Sequence, residues 1–330
     1  MDTKTGAGLE TIGEPWLWAV FGAMVLVMLI VDLVLVGRGQ QKEISFRESA
    51  IWSCVWVGIS LLFAAGLWWY LEGQAGPEVA TDRTLEFLAG YLIEKSLAVD
   101  NVFVWLMIFS FFGVPLALQK RVLAYGVVGA ILMRAVLIFV GAWALARFHW
   151  ILYVFGAILL FTGVKMWVMA EQKPDLANNP LLKWLGRHIP STPVLHGERF
   201  FVREQGVRLA TPLFFALVFV EFSDLVFAVD SIPAIFAVTS DPFIVLTSNV
   251  FAILGLRAMY FLLAGMAERF SLLKYGLAAV LVFIGAKMML IDLYKIPIAV
   301  SLAVVATLIG TSIVLSLKST AGRERGAPPP

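Results

Sequence analysis

Nine apolar stretches follow one another along this chain, and they leave it few folds to choose from. They run approximately 16–36, 50–70, 85–112, 121–146, 149–170, 209–239, 243–266, 271–291 and 296–317. A hydrocarbon core about 30 Å thick takes roughly 20 helical residues to cross. In lipid every backbone N–H and C=O needs a partner within the protein, so a spanning segment is a helix or a strand of a closed barrel. The alternating segments of about ten residues that mark a barrel are absent. The expectation is an all-α polytopic membrane protein of about nine transmembrane helices. Only 15% of the 330 residues are charged, against about 25% in soluble domains. Net charge is +2, which gives no footprint for a nucleic acid. The single cysteine, Cys54, excludes an internal disulfide framework and is expected to pack as a small apolar residue.

The first stretch has an acidic flank (Asp2, Glu10, Glu14) rather than the basic one of a signal peptide, so it is assigned as a span. Basic residues alternate between the loops. Arg38, Lys42 and Arg47, then Lys120 and Arg121, then the loop 171–208, then Lys318, Arg323 and Arg325 mark one side as cytoplasmic. This puts the N-terminus outside and the C-terminus inside, with Arg147 and Lys295 as exceptions. Within 171–208, Leu181 to Leu185 is amphipathic and is expected to lie as a short interfacial helix. Alternation around Glu204-Gln205-Gly206 predicts a small hairpin. The end, Gly326 to Pro330, is expected to be disordered.

Ionisable residues inside apolar stretches are costly and mark function. Glu94-Lys-Ser-Leu-Ala-Val-Asp100-Asn101 is echoed by Asp224-Leu-Val-Phe-Ala-Val-Asp230-Ser231. The echo continues in the same order: Ile131 to Ala135 with Leu254 to Ala258, Arg147-Phe148 with Arg269-Phe270, and Gly163 to Met166 with Gly285 to Met288. Three spans per copy is odd, so the second copy enters from the opposite side. This is an inverted 3+3 repeat (spans 3–5 and 6–8), whose site is expected near the midplane between the copies. The chain then divides into a two-span segment 1–84, repeat one at 85–170, the cytoplasmic loop 171–208, repeat two at 209–291, and a last span with its tail at 292–330.

Glu94, Asp100, Asn101, Glu221, Asp224 and Asp230 are the candidate metal ligands, with Ser223 and Ser231 as further oxygens. All are hard donors, which suits Mn²⁺, Ca²⁺ or Mg²⁺ and argues against copper or structural zinc. Of the three histidines, His149, His188 and His196, none lies deep in a span. Pro233 is expected to kink or unwind the sixth span around 229–233, swinging Asp230 into the same cavity. Arg134 and Arg257 are expected to compensate charge. Five acids against Arg134, Arg257 and Lys95 leave −2, the complement of one divalent ion. Lys165 and Lys287 are expected to snorkel. Trp16, Trp18, Trp68, Trp69 and Trp184 are expected to anchor at the interface. Asp32 is left between a ligand and a cap.

Glu94 to Asn101, Glu221-Phe-Ser-Asp224 through Ile235, and Ser248 to Ala258 resemble signatures of the TerC family of bacterial integral membrane proteins, and especially its Alx branch. The resemblance covers nearly the whole chain. It implies an inner-membrane exporter of manganese, with links to tellurium resistance and to pH-dependent manganese homeostasis. In some branches it implies metal supply to exported metalloproteins, and hence secretion machinery as a partner. A tellurium oxyanion does not suit a cavity of charge −2. The expected function is secondary export of a divalent cation, Mn²⁺ as substrate, by proton antiport, with membrane lipid as the other partner and no tightly bound cofactor. A membrane scaffold that hands metal to exported proteins is the alternative. An enzyme is not expected: no GxxxxGK[ST] loop and no Gly-x-Gly-Asp protease motif occurs.

Overall fold

The computed structural model describes residues 11–37, 46–148, 150–169, 180–264, 272–294 and 296–326. His149, Lys295, Arg269 with Phe270, the loop residues 38–45 and 170–179, and the tail 327–330 lie outside them. Eleven helices and one hairpin follow in order: α1 (Pro15–Gly37), α2 (Phe46–Ala75), α3 (Pro77–Phe111), α4 (Leu116–Arg147), α5 (Ile151–Val168), α6 (Pro180–His188), β1 (Phe201–Glu204), β2 (Val207–Ala210), α7 (Pro212–Phe236), α8 (Pro242–Leu254), α9 (Leu256–Ala264), α10 (Leu273–Met289) and α11 (Ile298–Gly326).

Proline opens α1, α3, α6, α7 and α8. At the first helical position its missing N–H costs nothing, because that donor has no partner in any helix. At α8 the Asp241 carboxylate caps the end, accepting from the Phe243 amide at 2.8 Å. The same carboxylate accepts from the Thr11 hydroxyl and the Ile12 amide, each at 2.7 Å, so it straps the N-terminal segment onto the α7–α8 turn. Gly113, at φ 61, turns the chain out of α3, while the Val114 amide returns to the Phe109 carbonyl.

Among the described residues six helices are each long and apolar enough to cross a membrane: α1, α2, α4, α5, α7 and α11. The pair α8 and α9, bent by 40° at Gly255, makes a seventh if it is one span. Large apolar side chains such as Leu26, Leu62, Leu132 and Phe161 point outward, as lipid-facing surfaces require. The protein is therefore a polytopic helical membrane protein. Its inside is built around α8, all thirteen residues of which are buried. A helix apolar nearly all round belongs in the core. α3 packs along α8, and α4 packs along α7. α5 packs on α10 at very close range, because Gly156, Gly163 and Gly285 let the two backbones touch.

On the side of the long 170–211 connection, β1 pairs antiparallel with β2 through Gln205 and Gly206, both at positive φ as a tight two-residue hairpin turn requires. Arg121 of α4 pairs with Glu198 and lies over the Phe200 ring, which ties this connection to the bundle.

Three expectations need correction. The chain does not break at Pro233; α7 is one helix of 25 residues. Pro233 stands in its last turn, so a single hydrogen bond near the end is lost and the helix survives. The bend falls at Gly255 instead. There the Lys95 amine reaches the Ala252 carbonyl at 3.1 Å, and any Cβ at 255 would crowd it. A side chain inserted beside the carbonyl row is a known cause of kinks. Cys54 is exposed on α2 rather than packed inside, because the outer face of a membrane helix is itself apolar. Lys287 is buried and faces the charge of Glu86, so it does not snorkel.

Candidate functional site

α3, α4, α7 and α8 each send polar side chains to one place. Arg134 of α4 is its centre, and only 1% of its side chain is exposed. Its guanidinium donates to both oxygens of Asp224, at 3.0 and 2.6 Å. This is the bidentate geometry in which Arg and carboxylate bind most firmly. It also donates to Glu94 of α3. Ser231 and the Asn249 carbonyl oxygen complete the ring at 3.4 Å each. Asn249 donates in turn to the second Glu94 oxygen at 3.1 Å. Asn101 donates to Asp224 at 3.2 Å, while its own carbonyl oxygen is buried without a hydrogen-bond partner. Glu94, Asn101, Asp224, Ser231 and Asn249 are all buried. A buried ion is tolerated when it is paired and its remaining atoms are bonded. Here two acids share one cation, so the cluster carries −1.

The other candidates lie around this centre. Glu221 is half-buried one turn before Asp224, whose charge it feels. Its carboxylate lies against Gly129 of α4, in the space a side chain there would fill. Asp100 does not join the ring; the charge that acts on it is that of Lys274, in the first turn of α10. Asp230 does not join it either. It accepts from Thr162 of α5 at 3.0 Å and feels Lys165. Arg257 is outside the cluster as well, paired with Asp32 of α1 at 2.5 Å. This pairing gives Asp32 its role, as the partner of a part-buried cation. The Ser223 hydroxyl is spent on the Val220 carbonyl and on the Trp105 indole. Among the described residues no three His, Cys, Asp or Glu side chains come together closely enough to hold a metal ion.

Two buried polar positions carry a signal in the sequence that was not among the candidates. Thr247-Ser248-Asn249 is a polar triplet inside an apolar span, and Asn249 bridges Glu94 and Arg134. Glu86 stands two turns before Glu94 on α3; it pairs with Arg83 at 2.9 Å and accepts from Thr239 at 2.7 Å.

Comparison with known proteins accords with this architecture. Residues 79–324 match the integral membrane protein TerC family. Among the relatives, "Putative membrane-bound redox modulator Alx" of Escherichia coli (strain K12) is 58% identical over 308 residues, covering 93% of this chain and 96% of its own. The protein of the same name in Photorhabdus laumondii is 56% identical over 309 residues, 94% and 97% of the two chains. "Uncharacterized membrane protein STKORF319" of Myxococcus xanthus is 52% identical over 307 residues, 93% of each chain. No solved structure matches.

Proposed function

Because this chain belongs to the integral membrane protein TerC family, we propose that it is a secondary transporter exporting a divalent cation, Mn²⁺ by family resemblance, across a bacterial inner membrane. The observation that carries this reading is the buried ring of Glu94, Asp224, Asn101, Asn249 and Ser231 around a cation, Arg134. Every one of these groups offers a hard oxygen, the donor type that Mn²⁺ prefers. Each of α3 and α7 carries a second carboxylate apart from the ring: Asp100, on which the Lys274 charge acts, and Asp230, which accepts from Thr162 of α5. An ion leaving the ring therefore meets a second carboxylate on both helices.

In this reading α3–α5 and α7–α10 are inverted copies, and nine spans result when α3, the α8–α9 pair and α10 are each counted as crossing. Reciprocal packing supports it. The first helix of each copy lies on the second of the other, α3 on α8 and α7 on α4, while the third helices α5 and α10 pair together. Glu86, Glu94, Lys95 and Asp100 interrupt the apolar run of α3, and α10 is short, at 17 residues. The hairpin and α6 carry Lys183, Arg187, Arg203 and Arg208, which suits a cytoplasmic side. Rocking of the copies would expose the ring alternately, and protonation of its acids from outside would release the ion.

The relatives' name speaks of redox. A single cysteine gives this chain no dithiol couple of its own.

The test is ⁵⁴Mn efflux from liposomes holding the purified protein, with Asp224→Asn as the negative control. Efflux that the variant abolishes supports export. Binding of Mn²⁺ without flux in the wild type turns the reading toward a scaffold that hands metal on.

A further inference from the structure

We infer that Arg134 is a tethered cation that alternates with the transported ion in the place between Glu94 and Asp224. The inference rests on the transporter reading above and adds a competitor to it.

The hydrogen bonds of the ring are already spent. Glu94 gives one oxygen to Arg134 and the other to Asn249. Asp224 gives both of its oxygens to Arg134. The Ser231 hydroxyl and the Asn249 carbonyl oxygen also turn toward the same guanidinium. A divalent ion of this class needs around six oxygens at about 2.0–2.6 Å. It cannot be added to acids that a planar guanidinium holds apart on its two edges. For the ion to bind, Arg134 must withdraw and the acids must close on the ion.

The converse holds for the empty protein. Two buried carboxylates left without a cation would repel each other and carry an uncompensated charge. Arg134 meets that need without importing a proton, because it stays charged at any physiological pH. One oxygen is left over: the buried Asn101 carbonyl beside Asp224 has no donor. A guanidinium aligned on Asp224 does not reach it. An ion that takes Arg134's place between Glu94 and Asp224 is not bound to a planar fork and can draw this neighbouring oxygen in as a further ligand.

A merely structural Arg134 makes the opposite prediction. If it only positions the acids, removing it disorders the site and weakens ion binding. If it competes, removing it strengthens binding and stops turnover, because the ion is then no longer displaced.

The experiment is calorimetric titration of the purified full-length protein with MnCl₂, beside ⁵⁴Mn efflux from liposomes, for wild type, Arg134→Gln and Arg134→Lys. Arg134→Gln is expected to bind Mn²⁺ at least tenfold more tightly than wild type and to lose efflux. Should that variant fail to fold, Arg134→Lys carries the test: a single ammonium cannot bridge both acids, so Mn²⁺ binds several-fold more tightly and efflux slows. Equal or weaker Mn²⁺ binding in the folded variants overturns the tethered cation while leaving export by the wild type standing. A wild type that neither binds nor exports Mn²⁺ removes the transporter reading, and this inference with it.

Discussion

Two glycine-to-alanine changes in this bundle should have opposite consequences, and the contrast tests the position of Glu221. At Gly129 an added Cβ would lie 2.5 Å from the Glu221 carboxyl carbon and 2.6 Å from one of its oxygens. At Gly285 it would lie 2.8 Å from the Gly156 carbonyl oxygen and 2.8 Å from the Leu160 amide nitrogen, where ordinary contact begins at 3.4 Å. The obstacle at 129 is the free end of a side chain. Rotating it away costs about 0.5–1.5 kcal/mol, and alanine returns roughly 1 kcal/mol of helix propensity. Gly129→Ala should therefore melt close to wild type in detergent while displacing Glu221 from its place beside Asp224. The obstacle at 285 is backbone on both sides, so α5 and α10 must separate. Overpacking of that kind costs about 1–3 kcal/mol, and the glycine-mediated contact along this helix pair is lost with it. Gly285→Ala should melt clearly lower. The assay pairs melting midpoints with ⁵⁴Mn efflux: Gly129→Ala keeps its midpoint and loses transport. Wild-type efflux from Gly129→Ala, or a midpoint lowered as far as that of Gly285→Ala, would refute the placement of Glu221 against α4 as a functional one.

Other perturbations follow from the same contacts. Arg257→Ala strands Asp32, whose side chain is 5% exposed, at a cost of about 3–5 kcal/mol; Arg257→Lys should lose less, and equal melting midpoints for the two would put the pair outside the stabilising core. Asp241→Ala removes a helix cap worth about 1 kcal/mol along with both bonds to Thr11 and Ile12, so limited proteolysis should cleave the N-terminal segment several-fold faster; an unchanged rate would mean the strap is not held there. Mn²⁺ affinity should fall as pH is lowered from 8 to 6, because the ion needs ionised carboxylates and protons compete for them. Calorimetry at the two pH values checks the sign, and an affinity indifferent to pH sinks proton-coupled release without touching binding itself.

The helical membrane class was legible because lipid allows so few backbone solutions. Proline at the helix starts and Gly113 after α3 are signals of the same local kind. What the sequence withheld was partner choice. Arg257 and Arg134 stand in matching motifs, yet one pairs with Asp32 of α1 and the other with Glu94 and Asp224. Nothing within the motif specifies which helix passes nearest, and α1 carries neither motif. Lys95 was counted as a charge of the cluster, but its amine is spent on the Ala252 carbonyl at the Gly255 bend. That bend could not be located from composition, since a glycine within a helix is tolerated far more often than it breaks one.

The separation of the acids, by contrast, follows from spacing alone once no break is allowed between them. Residues six apart on a helix of 3.6 per turn lie about 240° around the axis from one another. On a continuous α3 and a continuous α7, Glu94 and Asp100 cannot face the same neighbour, and neither can Asp224 and Asp230. The first acid of each motif turns to Arg134. The second lies apart from it: Asp230 accepts from Thr162 of α5, and Asp100 feels the charge of Lys274 of α10. A break at Pro233 would have been needed only to gather all the acids into one cavity. Without it the echoed motif builds two tiers, an inner pair of acids that share one guanidinium and two further carboxylates, Asp230 bonded to α5 and Asp100 under the charge of Lys274. In the proposed transport cycle this arrangement has a direct consequence. An ion in that cycle would pass from the inner acids to the second carboxylate of the same helix, whereas a single cavity of five acids would hold it more tightly.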